Sequence, residues 1–484
     1  MVSPTPFSDT PATTSSALNG NSRGANPDPE LLAQLESAVQ RRFPETIEQL
    51  IELARIPGIA WEIFDPAELQ RSAEAVAELA RSIGLDDVQI LREFTEDGKP
   101  GGPAVIARRP ARPGKPTVLL YAHHDVQPPG DRALWESDPF QPEQRGERLW
   151  GRGVADDKAG VLAHIAALSA VTEVLGEELG LGVTLFIEGE EEAGSPTFRT
   201  FLEKHRELLR SDLIIVADSV NWKVGTPALT TSLRGLVSGV VELEVLDHAV
   251  HSGMYGGPVL DAPTQLARLI ATLHDASGEV AVAGLHRGEE PTIDYPEADF
   301  RQDAGVLEGV ELAGSGSLAS RLWAQPALSV IGIDVTDVAS SSNTILPSAR
   351  AQLSLRLAPG DDPQTAMTAL QQHIEKHAPA TACVRFIPGE QGQPFRTDID
   401  APAAQAMLWA LQEAWGNEPV AMGMGGSIPF IADLTELYPE AEILITGVED
   451  PDSRAHSANE SLHLAEFQKA ILAEALLLAR LNQP

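Results

Sequence analysis

The chain has 484 residues, 70 acidic against 35 basic, and a formal net charge of −35 at pH 7. This balance excludes nucleic acids and anionic membranes as partners, because both require clustered Lys and Arg, and it suits a protein that holds cations. A hydrophobic share of 43% with only 22% charged residues indicates a globular protein, and its length favours two domains over one.

The N-terminal stretch 1–28 is rich in Ser, Thr, Pro, Asn and Gly and has no apolar core like that of a signal peptide. We therefore predict a disordered tail there. No run approaches the ~18 apolar residues that would span a bilayer. The single cysteine, Cys383, excludes an intramolecular disulfide, which fits a cytoplasmic location.

From residue 29 onward, helical patterns alternate with short strands that are apolar throughout. Such strands are buried on both faces, as in a largely parallel sheet flanked by helices. In chain order we predict a helix at 31–53 broken at Pro44, a helix at 65–84, strands at 88–91, 105–107 and 117–122, a helix at 159–175, a strand at 183–187, a helix at 196–209 and a strand at 213–216.

The pattern changes after about residue 225. Two strands, 241–245 and 349–357, alternate apolar with polar residues, as a sheet with one solvated face requires. The same part of the chain has predicted helices at 262–273 and 363–376 and a strand at 382–387. The pattern of helices and buried strands seen before residue 225 then returns, with a helix at 401–415, a buried strand at 443–446 and a helix at 462–481. We therefore predict an α/β domain formed by 29–228 and 394–484, interrupted by a smaller α/β domain at 229–393.

Polar clusters follow the buried strands, at the sheet edge where ligands of α/β proteins collect. His123 and Asp125 come first. Because they are two residues apart in extended chain, they point to one side and His124 to the other. A metal-binding histidine usually has its second ring nitrogen held by a carboxylate or carbonyl, which Asp125 could supply. The alternative is a turn closed by aspartate and proline.

Two further acidic clusters are open to more than one interpretation. The adjacent Asp156 and Asp157 lie among glycines at the start of an apolar helix, where they could cap the helix or bind a cation. The segment Glu188–Glu192 has four carboxylates in five residues. It is either a solvated surface loop or a source of a metal ligand and a general base.

Asp218 ends a buried strand and could equally be a cap, and His456 lies in a late loop where histidines are commonly just exposed. Together, however, the strand-end loops supply two imidazoles and three carboxylates. With one shared carboxylate, these side chains could hold two divalent ions ~3.5 Å apart. Imidazole with carboxylate suits zinc or manganese. The set is His123, Asp156, Glu192, Asp218 and His456.

The motifs together resemble those of the co-catalytic metallopeptidases that include carnosinases, aminoacylase and carboxypeptidase G. The fit is best to the carnosinase-like cytosolic dipeptidase branch, and it extends from about residue 30 to the C-terminus. The motifs that carry it are HxDVxP at 123–128, GRGxxDDKxG at 151–160, EExGS at 191–195, the later Asp218, HSG at 251–253 and AHSxNE at 455–460. Ala122 and His124 depart from the glycine and tyrosine common in the family.

The resemblance implies a role for each of these site residues. Asp156 would bridge two metal ions, with a cis peptide bond after it. His123 and Asp218 would complete one site, and Glu192 and His456 the other. Glu191 would be the general base, and Asp125 would steady His123.

The resemblance also assigns roles to the inserted domain, which would be a ferredoxin-like lid and dimerisation domain. His251 would reach into the partner's active site of a homodimer and stabilise the oxyanion. Arg356 would bind the substrate carboxylate, although an ordinary solvated sheet face remains the alternative for this residue. Thr344 and Ser427 match further substrate-contacting positions.

The resulting functional hypothesis is a hydrolase with two divalent ions per chain, zinc or alternatively manganese, acting on dipeptides with a free carboxyl end. A hydroxide between the metals would attack the peptide carbon while Glu191 handles the proton. One alternative is an aminoacylase or deacylase of N-acyl amino acids with the same site. Another is a non-hydrolytic metal-binding protein, against which the retention of Glu191 speaks.

Overall fold

The computed structural model describes residues 26–426 and 429–483. These divide into two compact units. Unit 1 contains the described residues up to Gly225, Asp400–Glu418 and those from Leu437 onward, and unit 2 contains Thr226–Ile399 and Pro419–Glu436. Almost all of the predicted tail, 1–28, lies outside the described residues.

The helices and strands are as follows. The helices are α1 (Pro29–Ala54), α2 (Pro66–Ser82), α3 (Lys158–Leu175), α4 (Phe198–Lys204), α5 (Arg206–Leu209), α6 (Ser252–Tyr255), α7 (Ala262–Ile270), α8 (Glu297–Asp303), α9 (Pro363–His377), α10 (Pro402–Trp415), α11 (Pro429–Leu437) and α12 (Leu464–Leu481). The strands are β1 (Asp87–Leu91), β2 (Ala104–Arg109), β3 (Thr117–His123), β4 (Glu143–Arg145), β5 (Arg148–Trp150), β6 (Gly182–Glu188), β7 (Leu213–Val216), β8 (Ala228–Leu233), β9 (Gly235–Glu244), β10 (Val250–His251), β11 (Ala327–Asp334), β12 (Thr344–Ile345), β13 (Ser348–Leu357), β14 (Cys383–Gly392), β15 (Phe395–Arg396), β16 (Val420–Met424), β17 (Glu442–Ile445) and β18 (Ser461–His463).

The sheet of unit 1 has the strand order β1-β2-β6-β3-β7-β17. Strands β6, β3, β7 and β17 are parallel, whereas β1 and β2 pair antiparallel at one edge. The central strands β6 and β7 are buried along their whole length, which explains their continuous apolar sequences. The predicted α/β fold with a mostly parallel sheet flanked by helices is confirmed. Its parallel strands bring the loops at their carboxyl ends to one edge.

Helix α3 is the core helix of unit 1. It packs against β3, α1 and α12, and residues 158–171 are all buried. Contrary to the expectation from the sequence, one described helix, Lys158–Glu178, is long and apolar enough to cross a membrane by length and composition, with a mean hydropathy of 1.6. Its burial against other elements of the same unit accounts for that composition.

Helix α1 differs from the prediction, because it runs unbroken through Pro44. A proline inside a helix removes one hydrogen bond, here to the carbonyl of Gln40. Both residues are exposed, so water can take the place of the missing donor. Buried side chains on the opposite face, including Leu35 and Leu50, keep the helix continuous.

Unit 2 is built on an antiparallel sheet in the order β11-β13-β9-β14. The chain order β9-α7-β11-β13-α9-β14 with this arrangement is ferredoxin-like, as predicted. Leu353, Leu355 and Leu357 belong to a core that also includes residues of α7 and α9. The sheet therefore has one covered face, and buried residues alternate with more exposed ones along β13.

The limits of unit 2 differ from the predicted 229–393. The unit extends from Thr226 to Ile399 and also includes Pro419–Glu436, because β16 pairs in parallel with β8. The sequence of β16, Val-Ala-Met-Gly-Met, has no alternation of apolar and polar residues and only one β-branched residue, so it does not predict a strand.

Candidate metal centre

Four segments of unit 1 converge on Asp156, which lies just before α3. His123 ends β3, Glu192 follows β6, Asp218 follows β7, and His456 precedes β18. The donor atoms of His123, Asp156 and Asp218 all lie within 4.8 Å of one another, and so do those of Asp156, Glu192 and His456. Asp156 thus belongs to both groups, and these are the five residues that the sequence pattern selected.

The two oxygens of Asp156 face different histidines. Oδ1 lies 3.2 Å from Nε2 of His123, and Oδ2 lies 3.0 Å from Nε2 of His456. The same His456 nitrogen lies 3.2 Å from Oε2 of Glu192. One carboxylate between two imidazoles is the arrangement expected of a shared ligand.

The ring of His123 is held in an orientation and tautomer that suit a metal ligand. Its Nδ1 lies 3.0 Å from the backbone carbonyl of Asp125, so Nδ1 carries the proton in the neutral ring and Nε2 is the lone-pair nitrogen. That Nε2 is buried and has no hydrogen-bond partner among the described residues. A buried nitrogen left without a partner beside carboxylates fits a divalent cation.

The electrostatics of the cluster indicate a shortage of positive charge. Burial, together with the charges of Asp156 and Glu192, raises the pKa of Asp218 to about 6. Contacts with Asp156 and Glu192 raise the pKa of His456 to about 11. Burial and the charge of Asp218 likewise hold the pKa of Glu191 well above its ordinary value. Two divalent ions would relieve this repulsion, and the residues present fit them.

Glu191 and Glu192 are placed by Asp125. Its two carboxylate oxygens accept hydrogen bonds from the backbone N–H groups of Glu191 and Glu192, each at 3.1 Å. His123 Nδ1 is nearer to the carbonyl of Asp125 (3.0 Å) than to its carboxylate (3.4 Å). The carboxylate therefore fixes the Glu191–Ala193 turn, and Oε2 of Glu191 lies 3.9 Å from Nε2 of His123.

Glu460 organises the turn that carries Asp156. Its Oε1 accepts from the backbone N–H groups of Ala155 (2.9 Å) and Asp156 (3.1 Å). Its Oε2 accepts from Nη1 of Arg152 (2.6 Å) and from the N–H of Gly153 (3.1 Å). The carboxylate is completely buried. The motif AHSxNE includes this residue, but its contacts cannot be assigned from the motif.

Asp157 and Lys158 tie the same turn to other elements. The Asp156–Asp157 peptide bond is cis. Asp157 belongs to neither ligand group and accepts from the backbone N–H of His123 at 3.1 Å. Lys158 donates to the carbonyls of Leu53 (2.9 Å) and Ile56 (2.6 Å) at the end of α1. The turn is therefore held by the backbone of His123, by the end of α1 and by Glu460.

The remaining polar residues of these loops lie outside the two ligand groups. His124 directs Nε2 to the carbonyl of Pro103 at 2.8 Å, on the other side of the strand from His123, as its position predicted. Glu188 accepts from the hydroxyl of Tyr121 (2.6 Å), and Glu190 accepts from the N–H of Gly102 (2.6 Å). The acidic run thus contains two residues with structural contacts as well as Glu191 and Glu192.

Glu449 is an acid near the ligands that the sequence did not single out. Burial and the charges of Asp156 and Asp218 raise its pKa well above the ordinary value. Its backbone carbonyl accepts from the N–H of Asn221 at 2.8 Å, which fixes its segment beside the one that carries Asp218. No motif marks this position.

The predicted substrate-binding residues belong to unit 2. His251 is exposed in β10, directly opposite Thr344 in β12. Arg356 is on β13, on the face opposite the buried leucines, and is paired with Leu236 of β9. Ser427 lies outside the described residues. Unit 2 therefore places His251 and Thr344 side by side.

Comparison with known proteins shows the family to which the chain belongs. A cysteinylglycine-S-conjugate dipeptidase from Corynebacterium striatum is 34% identical over 84% of this chain and 89% of its own length. A beta-Ala-His dipeptidase from Rattus norvegicus is 28% identical over 90% of this chain and 92% of its own length. The structure of human carnosine dipeptidase 1 has the same fold, with a TM-score of 0.77 and 24% identity over 95% of this chain and 100% of that one. The model of peptidase family M20/M25/M40 matches residues 119–480, and the chain belongs to this family.

Proposed function

We propose that this peptidase is a dipeptidase with two divalent metal ions, which cleaves the peptide bond of substrates with a free C-terminal carboxylate. The observation that carries the proposal is the sharing of Asp156 between two donor groups with Glu191 beside them. Relatives that span most of the chain are named dipeptidases, which supports the substrate class. A binding protein would have no use for a base at the position of Glu191.

The ligands would be His123 and Asp218 for one ion and Glu192 and His456 for the other, with Asp156 shared. Mixed imidazole and carboxylate donors suit zinc, with manganese as the alternative, better than magnesium or calcium. The ions would supply a water acidified toward pKa ~7 and would offset the charge of the ligand carboxylates.

Glu191 is the general base in this proposal. Its carboxylate takes the proton of the attacking water and then passes it to the leaving amine nitrogen. Asp125 contributes by fixing the turn that carries Glu191 through two backbone hydrogen bonds. It also positions His123 through its carbonyl.

The substrate contacts would come from unit 2. Arg356 binds the C-terminal carboxylate, Thr344 and Ser427 contact the substrate, and His251 of a second copy stabilises the developing oxyanion. We accordingly assign catalysis to unit 1, in place of the predicted 29–228 and 394–484, and the lid and dimerisation role to unit 2, Thr226–Ile399 with Pro419–Glu436, in place of the predicted 229–393.

A homodimer through unit 2 is supported by the edge strand β11. Among the described residues, β11 pairs only with β13, so its other edge is free for a second copy. Ile331 and Ile333 of this strand are 64% and 54% exposed, and Val338 beyond it is 91% exposed. Exposed apolar side chains at an open edge are typical of a strand-pairing interface. A cytoplasmic location is consistent with the single, exposed Cys383.

The test is release of free amino acids from a small panel containing plain dipeptides, β-alanyl-histidine and N-acetyl amino acids. Each substrate is offered to chelated enzyme and to enzyme with zinc or manganese restored. Metal-dependent cleavage of dipeptides is the expected result. Cleavage confined to N-acetyl amino acids would replace the dipeptidase proposal with an aminoacylase, and no cleavage with two metals bound would contradict hydrolysis altogether.

A further inference from the structure

Arg234, between β8 and β9, is an almost buried arginine held entirely by backbone carbonyls. It is 8% exposed. Its Nε donates to the carbonyl of Gly425 at 3.2 Å, and its Nη1 faces the carbonyls of Arg321 (3.5 Å) and Gln325 (3.4 Å). The guanidinium is therefore fixed in orientation by three separate points of unit 2.

No carboxylate pairs with Arg234 within residues 26–426 and 429–483. This is unexpected in a chain with a net charge of −35, since buried charges are normally paired. The remaining nitrogen, Nη2, makes no hydrogen bond to any described residue, and it is not closed off from solvent. One edge of a rigid cation is thus open to a ligand.

A second guanidinium lies close by. Arg356 is the cross-strand partner of Leu236, which is two residues after Arg234. Burial and the positive charge of Arg356 lower the pKa of Arg234 to about 10. Two like charges at a partly buried position repel each other unless an anion lies between them.

The glycine motif at 425–426 leaves room for that anion. A Cβ added to Gly425 would lie 2.9 Å from Nη2 of Arg234, so a side chain at this position would crowd the open edge. Gly425 also accepts the Nε hydrogen bond. Glycine at position 425 therefore both holds the guanidinium of Arg234 through its carbonyl and keeps Nη2 accessible.

We propose that Arg234 is a second cation of the subsite for the substrate's C-terminal carboxylate, with its open Nη2 edge directed at the ligand beside Arg356. This inference rests on the proposed function, and it names a recognition residue that the sequence motifs did not. It applies equally to a dipeptide and to an N-acyl amino acid, since both carry this carboxylate. If Arg234 only held the three carbonyls in place, its donors would be needed. Its unpaired charge and the open edge at Nη2 would not.

The test compares Arg234→Met and Arg234→Lys with wild type on alanyl-leucine and on its C-terminal amide. The matched control is Arg385→Met, which removes an exposed arginine of the same sheet that pairs with Glu242. Inhibition by free leucine, compared with leucinamide, gives a readout that does not require turnover of the amide. Thermal unfolding of each variant reports its folding.

For Arg234→Met we expect KM for alanyl-leucine to rise about 10- to 100-fold with kcat changed far less, as for the loss of a hydrogen bond to a charged group. Leucine inhibition weakens by a similar factor, while the amide and leucinamide are unaffected. Arg234→Lys retains the charge and loses less, which keeps the test valid if the methionine variant folds poorly. The control is unchanged.

Equal losses on the acid and the amide, or no loss on either, would overturn the role of Arg234 in carboxylate binding. Failure of wild type itself to cleave any dipeptide or N-acyl amino acid would instead contradict the proposed function. The two failures are distinguishable, because the second is seen before any variant is made.

Discussion

Replacing Glu460 tests whether the candidate metal ligands depend on a buried carboxylate that lies outside the two ligand groups. Replacing it with glutamine keeps one oxygen for the N–H groups of Ala155 and Asp156. The new amide nitrogen, however, faces two donors, Nη1 of Arg152 and the N–H of Gly153. The variant Glu460→Gln therefore loses two acceptor contacts within the turn that presents Asp156.

The size of the expected loss of stability follows from the contacts that Glu460→Gln removes. Leaving the buried N–H of Gly153 unsatisfied costs about 1–3 kcal/mol. Removing the charge that balances the buried Arg152 costs about 3–5 kcal/mol, although Arg152 retains its position over the ring of Trp135. We expect the apparent free energy of unfolding to fall by about 4 kcal/mol or more. Because the turn positions a shared ligand, metal affinity should fall about 10- to 100-fold.

The assay is calorimetric titration of zinc into chelated protein, with unfolding measured in parallel. The matched control is Glu466→Gln, a buried carboxylate of α12 that accepts from Nε1 of Trp415 and lies outside the metal ligand groups. The control should bind zinc like wild type. If Glu460→Gln also bound two ions with wild-type affinity, Glu460 would have no part in positioning Asp156.

Two further predictions concern other parts of the molecule. His251→Ala should be inactive alone but should regain activity when mixed with Glu191→Gln chains, because one active site of the mixed dimer then has both groups; no recovery would refute a shared site. His164 donates to Glu474 and to the carbonyl of Tyr121, each at 2.9 Å. Burial alone would lower its pKa, but Glu474 raises it above the ordinary 6.5. Its stabilising contribution is therefore fully present below about pH 6.5 and is lost as pH rises through the raised pKa. The destabilisation by His164→Gln, measured by thermal unfolding, should shrink with rising pH, and a constant difference would contradict this.

The parallel sheet and its ligand loops were predictable because their signals are local. Apolar runs at β3, β6 and β7 predict strands that are buried on both faces. The polar residues that follow such parallel strands must lie at the same edge of the sheet. That rule alone predicts that His123, Glu192 and Asp218 lie at one edge of the sheet, and the structure places each of them beside Asp156. His456 lies ten or more residues beyond its strand, and only its motif suggested it.

What the sequence did not reveal depends on contacts between distant segments. The carboxylate of Asp125 serves the backbone of Glu191 and Glu192, about 66 residues away, rather than mainly the ring of His123. That Arg234 pairs with no carboxylate among the described residues follows only from contacts between distant segments, at Gly425, Arg321 and Gln325. Pro44 does not break α1 as predicted, because a helix tolerates a proline when the carbonyl left without a donor is exposed to water.

The measurement that bears most directly on the central claim is the metal content and turnover of Glu191→Gln. The variant removes the base and leaves the ligands His123, Asp156, Glu192, Asp218 and His456 intact. We predict that it binds two divalent ions per chain like wild type and that kcat on a dipeptide falls by about 10²–10⁴. Near-normal turnover with both ions bound would contradict the role of Glu191 and the mechanism built on it.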